Sequence, residues 1–182
     1  MIKLFTERLL IREHQIEDLE EHHELFSDDI SMKYLPEIKT NTLDESRKDL
    51  MEAINEINSE NRKLYFFRIE NRNTNEYIGE IGYTVEQETP VGKVVGLGYF
   101  IKEKFWGKGY TTEAVKRIIE FAFMENNVYR ISTGCLKENI GSEKIMIKCG
   151  LIKEGELKEY QLHENKLKDR VLYRLLKNEW KK

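Results

Sequence analysis

The sequence predicts an α/β fold in which helices flank a mixed central sheet of about seven strands. Runs with the two-residue apolar period of strands alternate along the chain with runs of helical period. No repeat, low-complexity tract or Pro/Gly/Ser-rich linker interrupts them. A length of 182 residues suits one domain with a sizeable core. We therefore expect a single domain over residues 1–182.

The first half of the chain predicts three strands and two helices. In order, these are a strand near 8–12, helices near 16–26 and 43–57, and strands near 64–70 and 77–86. The helix at 43–57 carries Leu50, Ala53 and Ile57 on one apolar face. Asn73 and Asn75 supply a turn between the two strands that follow, and Pro90 and Gly92 supply another after them.

The second half predicts four strands and two helices. In order, these are a strand at 94–101, a helix from 111 to about 125, a strand at 129–133, a helix at 139–149, and strands near 152–162 and 169–176. Asn139 is placed to cap the second of these helices, and Gly150 is placed to end it.

Trp106-Gly107-Lys108-Gly109-Tyr110, here called the glycine corner, joins the strand at 94–101 to the helix that begins at Thr111. The first N–H groups of a helix lack intrahelical acceptors and lie at the positive end of the helix dipole, so they attract phosphate. Gly107 and Gly109 leave room for an anion because they carry no Cβ. The corner lacks the P-loop pattern, and Thr112 stands where a dinucleotide fingerprint has its third glycine. It predicts a site for a phosphorylated ligand, with an ordinary tight connection as the alternative.

The strand, corner and helix resemble motif A of the GNAT superfamily of N-acetyltransferases, in which Arg/Gln-x-x-Gly-x-Gly/Ala holds the pyrophosphate of acetyl-CoA. Gly109 matches the central glycine, whereas Trp106 and Thr111 depart from the first and last positions. The stretch from Trp106 to Ala114 is similar to the form found in the Rim-type (RimJ/RimL-like) branch, which includes the ribosomal-protein N-terminal acetyltransferases. The opening segment 6–13 and the spacing of Asn139, Ser142, Lys148 and Gly150 also resemble that branch.

The resemblance implies a single-domain GNAT fold with splayed fourth and fifth strands and coenzyme A in the gap. It implies an acetyl-CoA-dependent N-acetyltransferase that moves the acetyl group directly to a primary amine in a ternary complex. The acceptor is a protein N-terminal α-amine or a small amine. A non-catalytic acyl-CoA-binding or regulatory module and a generic nucleotide binder are the alternatives.

The resemblance also implies the residues that bind the coenzyme. The pyrophosphate lies on the backbone of the corner and the helix start: Trp106, Gly107, Lys108, Gly109, Tyr110, Thr111 and Thr112. The backbone of Tyr99, Phe100 and Ile101 pairs with the pantetheine arm and polarises the thioester oxygen, while the side chains of Phe100 and Ile101 belong to the core.

The resemblance assigns three further roles. Asn139 binds the pantetheine arm, and Ser142 protonates the leaving thiolate as the catalytic acid. Lys148 reaches the adenosine 3′-phosphate. Each position also suits a purely structural role at a helix end.

The general base is left open by the sequence. The branch often places a carboxylate on the last hairpin, but Gln161 falls at that position here. The candidates are the following: Glu80, Glu103, Glu159, Glu164, Asp169, His163 or a water relay. An α-amine with a pKa near 8 is about a tenth neutral at pH 7, so it needs less help from a base than a lysine side chain.

The net charge, the length of the apolar runs and the cysteine count limit which partners and which cellular location are expected. A net charge of −3 argues against nucleic acid as a principal partner. No apolar run approaches the roughly 20 residues of a membrane helix, and two cysteines give no disulfide framework. We therefore expect a cytoplasmic enzyme that needs no metal, with a homodimer left open. The four histidines are expected to make no ligand cluster, and His22 and His23 are expected on a solvated helix face. The four are His14, His22, His23 and His163.

Overall fold

The computed structural model describes residues 1–181, and it contains eight strands and four α-helices within that range. The strands are β1 Lys3–Phe5, β2 Leu9–Arg12, β3 Leu64–Asn71, β4 Tyr77–Thr89, β5 Gly92–Ile101, β6 Val128–Leu136, β7 Ile152–His163 and β8 Lys166–Leu176. The helices are α1 Leu19–Ser27, α2 Leu43–Glu56, α3 Tyr110–Met124 and α4 Ile140–Lys148. Short 3₁₀ turns at Ile16–Asp18 and Glu103–Phe105 precede α1 and the glycine corner.

The strands follow the hydrogen-bonded order β1-β2-β3-β4-β5-β6-β8-β7. β5 and β6 are parallel, whereas β1–β2, β2–β3, β3–β4, β6–β8 and β7–β8 are antiparallel, so the sheet is mixed as predicted. The sequence predicted about seven strands, and β1 is the additional one. It is a three-residue strand in which only Leu4 is buried, too short for the two-residue period to be recognised.

The contacts divide the described chain into two compact units: Met1–Thr84 with Gly98–Ile118, and Val85–Leu97 with Ile119–Lys182. In the first unit, β3 pairs in antiparallel register with β2 and β4, and α2 packs against α1 and β3. Its core includes Leu9, Ile11 and Phe67, each fully shielded from solvent. A hydrogen bond also links α2 to the segment before it: the hydroxyl oxygens of Thr40 and of Ser46, on α2, lie 2.6 Å apart.

In the second unit, β8 pairs with both β6 and β7. β5 and β6 pair in parallel from Lys93 opposite Val128 to Gly96 opposite Ser132. These are the fourth and fifth strands of the sequence prediction, and their splay beyond this paired segment stays a prediction. β7 and β8 meet at a two-residue turn in which Glu164 and Asn165 both have positive φ, the pattern of a type I′ hairpin.

Several predicted boundaries shift by a few residues. The helix expected near 16–26 is a 3₁₀ turn followed by α1, because Asp18 accepts a hydrogen bond from the Gln15 N–H at the chain's entry into the helix. β5 begins at Gly92, two residues earlier than expected, and β6 runs on to Leu136. Within residues 1–181, no helix has the length and apolar character that a membrane span requires.

Candidate coenzyme and acyl-transfer site

The glycine corner of the first unit has the backbone shape that its sequence predicts. Gly107 and Gly109 have φ values of 71° and 81°, in the left-handed region that glycine occupies without a steric penalty. Among the described residues, no atom beyond the chain neighbours lies within 4 Å of the position where a Cβ at Gly107 would stand. The corner therefore offers open space directly before the N–H groups that begin α3 at Tyr110. Open space before the first N–H groups of a helix is an arrangement that favours phosphate groups.

Side-chain hydrogen bonds hold the corner in place. The Trp106 indole N–H donates to the Ile101 carbonyl oxygen at 3.0 Å, which ties the corner to the end of β5. Arg8, in the turn between β1 and β2, donates from Nη1 to the Lys108 carbonyl oxygen at 3.0 Å. Its guanidinium also lies over the Tyr110 ring, 4.4 Å from the centroid. The sequence prediction did not include Arg8 among the site residues.

Glu113, in the first turn of α3, anchors Arg8. Its carboxylate accepts hydrogen bonds from Arg8 Nε at 2.7 Å, from the Arg8 backbone N–H at 3.0 Å and from the Thr6 hydroxyl at 2.6 Å. Burial raises the pKa of Glu113, but the hydrogen bonds from Thr6 and Arg8 outweigh burial and lower it below its usual value. The carboxylate is therefore ionised and fully engaged at neutral pH.

At the end of β5, the backbone and not the side chains is the part predicted to contact the coenzyme. Ile101 is buried, and the Phe100 ring meets the Phe26 ring edge to face at 5.1 Å, which confirms that both side chains belong to the core. Beyond the strand, the Lys102 N–H donates to the Ile78 carbonyl oxygen of β4 at 2.9 Å. Tyr99 is half-buried, and its coenzyme contact stays a prediction.

In the second unit, the predicted coenzyme residues lie on α4. The Asn139 Oδ1 accepts from the Ser142 N–H at 3.1 Å, so Asn139 is the helix N-cap that the sequence predicts. The Ser142 hydroxyl is a hydrogen-bond partner of the Cys135 thiol at the end of β6, although burial keeps the pKa of Cys135 raised. Lys148 is exposed in the last turn, and Gly150, with a φ of 82°, ends the helix.

Most candidate bases on the last hairpin are occupied or exposed. Gln161, at the position where a carboxylate was expected, accepts a hydrogen bond from Arg170. The Asp169 carboxylate accepts from Lys158 and from the Glu159 N–H. Glu159, Glu164 and, beyond β5, Glu103 are exposed to solvent. Glu80 and His163 are the two buried candidates, with relative exposures of 6% and 4%.

The histidines require a correction. The expectation that they form no ligand cluster is wrong, because His14, His22 and Glu80 converge in the first unit. His22 is also not on a solvated face: it is 2% exposed, and its ring stacks on Phe26 at 4.0 Å. His14 Nε2 lies 2.9 Å from Glu80 Oε2, and His22 Nδ1 lies 3.6 Å from Glu80 Oε1. Here, this group is called the buried His–Glu cluster.

The cluster changes the acidity of its members. Burial raises the pKa of Glu80, but His14 and His22 outweigh burial and lower it to about 2. Burial lowers the pKa of His22, but the neighbouring carboxylates of Asp49 and Glu80 outweigh burial and raise it to about 9. The Glu80 carboxylate therefore has a low proton affinity, which makes it a weak general base.

Comparison with known proteins agrees with this geometry. The family model described as the acetyltransferase (GNAT) domain matches residues 8–152. The uncharacterized N-acetyltransferase p20 of Bacillus licheniformis is 31% identical over 181 residues, with 99% of both chains covered.

Two further matches bear on the branch and the fold. The ribosomal protein uS5-alanine N-acetyltransferase of Escherichia coli is 32% identical over 84 residues, covering 46% of this chain and 43% of that protein. The spermidine N-acetyltransferase of Vibrio cholerae, solved with CoA and spermine, has a TM-score of 0.82 at 20% identity, covering 96% of this chain and 98% of that one. The chain therefore belongs to the GNAT family of acetyltransferases.

Proposed function

We propose that this enzyme transfers an acetyl group from acetyl-CoA directly to the α-amine at the N-terminus of a peptide or protein, in a ternary complex and in the cytoplasm. The observation that supports coenzyme binding most strongly is the glycine corner, with positive φ at Gly107 and Gly109 and open space at Gly107. Its backbone N–H groups, from Gly107 to Thr112, bind the pyrophosphate. The start of α3 adds the positive end of the helix dipole to these N–H groups.

The chemistry of the transfer requires three further contributions. The backbone of Tyr99 to Ile101 pairs with the pantetheine arm and polarises the thioester carbonyl. Asn139 binds the same arm, and Lys148 binds the adenosine 3′-phosphate. As the amine–carbonyl bond forms and the carbon–sulfur bond breaks, Ser142 donates its hydroxyl proton to the leaving thiolate, and the proton that the amine loses passes through water to the Ser142 oxygen.

The hydrogen bonds of the last hairpin favour an α-amine as the acceptor. Gln161 stands where a carboxylate was expected and accepts from Arg170, and the Asp169 carboxylate accepts from Lys158 and from the Glu159 N–H. An acceptor that is already partly neutral does not need a strong base. About a tenth of peptide α-amines are neutral at pH 7, compared with a few parts in ten thousand of lysine side chains. A water molecule suffices to carry the proton away from such an amine.

Relatives act on both kinds of acceptor, so the test compares them directly. The E. coli relative is named for the alanine of ribosomal protein uS5, and the V. cholerae neighbour is named for spermidine. The assay measures thiol release from acetyl-CoA with an alanine-first peptide, the same peptide with a blocked N-terminus, and spermidine. We expect turnover with the free peptide alone.

Two outcomes would contradict parts of this proposal. Turnover with spermidine but not with the free peptide would overturn the α-amine assignment while keeping the acetyltransferase. Acetyl-CoA binding without thiol release for any amine would favour the non-catalytic acyl-CoA-binding module.

A further inference from the structure

Three side chains of metal-binding type meet inside the first unit. His14 follows β2, His22 lies on α1 and Glu80 lies on β4. One ligand atom from each lies within 4.8 Å of the other two. All three residues are buried, with relative exposures of 4%, 2% and 6%. Two histidines and one carboxylate are a common ligand set for zinc and related transition metals.

We propose that the buried His–Glu cluster binds one divalent transition-metal ion, with Zn²⁺ as the best match. The ligand atoms are His14 Nε2, His22 Nδ1 and a carboxylate oxygen of Glu80. Tetrahedral coordination with bonds of about 2.0–2.2 Å separates the ligand atoms by about 3.3–3.6 Å. The two nitrogens face the two oxygens of the same carboxylate, at 2.9 Å from His14 Nε2 to Oε2 and at 3.6 Å from His22 Nδ1 to Oε1, so the ion would lie between the nitrogens and that carboxylate.

The groups around the cluster orient the ligands as metal sites require. His22 Nε2 lies 3.0 Å from Asp49 Oδ2, so Asp49 holds the imidazole with Nδ1 facing Glu80. A carboxylate on the far nitrogen of a ligating histidine is a usual second partner in zinc sites. The Tyr77 hydroxyl donates to Glu80 Oε1 and fixes that carboxylate. Among the described residues, His22 Nδ1 has no hydrogen-bond partner, and a metal ion would satisfy it.

The excess of carboxylates near the cluster also favours the binding of a cation. Five carboxylates lie in or around the cluster. The guanidiniums of Arg12 and Arg68 form ion pairs with three of them. The carboxylates are Asp18, Glu21, Asp49, Glu70 and Glu80. The carboxylates outnumber these guanidiniums, and a divalent ion compensates part of the excess negative charge. Nitrogen and oxygen ligands in this ratio favour zinc, cobalt or nickel over calcium or magnesium.

A metal here acts on stability and not on acetyl transfer. The ligands come from the β2–α1 connection, from α1 and from β4, and Asp49 adds α2, so one ion joins four segments of the first unit. The glycine corner, α4 and Ser142 contribute no ligand. The inference therefore does not depend on the acceptor or on the proposed function.

The test uses tag-free, chelator-treated full-length protein titrated with Co²⁺, whose visible absorption reports nitrogen and oxygen coordination, followed by displacement with Zn²⁺. We expect one ion per chain and a rise in melting temperature with added Zn²⁺. Glu80→Gln should abolish the absorption band. Asp49→Asn, at a side chain that is 44% exposed, should fold and weaken binding by about 10–100-fold.

His23→Gln is the matched control, because His23 neighbours His22 on α1 but contacts Ser46 outside the cluster. It should bind Co²⁺ as the unaltered protein does. The absence of a saturable one-to-one band at millimolar Co²⁺ in the folded protein would overturn the proposal. Equal affinity in the unaltered protein and Asp49→Asn would also overturn it.

Discussion

Replacement of Arg8 by methionine tests whether the glycine corner depends on its side-chain anchors. Methionine keeps most of the aliphatic stem but loses the hydrogen bond to the Lys108 carbonyl oxygen, the ion pair with Glu113 and the contact with Tyr110. A hydrogen bond from a charged donor is worth about 1.5–3 kcal/mol, and the partial exposure of Arg8 reduces that to about 1–2 kcal/mol. At about 1.4 kcal/mol per tenfold change, acetyl-CoA should bind about 5–30-fold more weakly.

The assay is a calorimetric titration with acetyl-CoA, together with a melting curve to confirm that the variant is folded. Arg72→Met is the matched control, because Arg72 also donates to a backbone carbonyl, that of Thr6, and lies over the Phe5 ring, but does not contact the corner. Its acetyl-CoA affinity should stay within about twofold of the unaltered protein. If Arg8→Met binds acetyl-CoA as well as Arg72→Met does, the anchoring argument is wrong.

Three further predictions concern catalysis, pH and the core. Ser142→Ala should lower kcat by about 10²-fold or more with acetyl-CoA affinity unchanged, whereas an unaltered kcat removes Ser142 from the mechanism. Because folding lowers the pKa of Glu113 from its ordinary value of 4.5, the ionised carboxylate stabilises the folded protein at pH values above 4.5. This stabilisation is lost as the pH falls through the pKa of the folded state. The melting-temperature gap to Glu113→Gln should therefore narrow below about pH 4.5, and a gap that is constant with pH would contradict it. Leu50→Ala should cost about 2–5 kcal/mol in denaturant unfolding, because Leu50 is fully buried on α2; a loss below about 1 kcal/mol would contradict that packing.

The glycine corner was predictable because its signal is local. A strand period, two glycines two residues apart and a helix start occupy fewer than 25 consecutive residues, and the backbone follows directly from them. The Asn139 cap and the Gly150 terminus were predictable for the same reason, since each depends on residues within one helical turn.

The anchors of the corner and the His–Glu cluster were not predictable, because their partners are distant in sequence. Arg8 and Glu113 lie 105 positions apart and meet only after β1, β2 and α3 assemble. His14, His22 and Glu80 lie on separate elements, so no ligand spacing could indicate their convergence. His22 was expected on a solvated face because charged residues surround it along α1, yet its ring packs against Phe26 in the interior.

The central claim is that the glycine corner binds the pyrophosphate of acetyl-CoA, and one calorimetric comparison tests it most directly. The unaltered protein and Gly109→Val are each titrated with acetyl-CoA and, as a control, with ATP. Valine at a φ of 81° carries about 1–3 kcal/mol of backbone strain, and its Cβ would lie 3.4 Å from Arg8 Nη2, which anchors the corner, so binding should weaken at least tenfold. The account predicts binding of acetyl-CoA but not ATP by the unaltered protein, and loss of that binding in folded Gly109→Val. Equal acetyl-CoA affinity in the two proteins would contradict it.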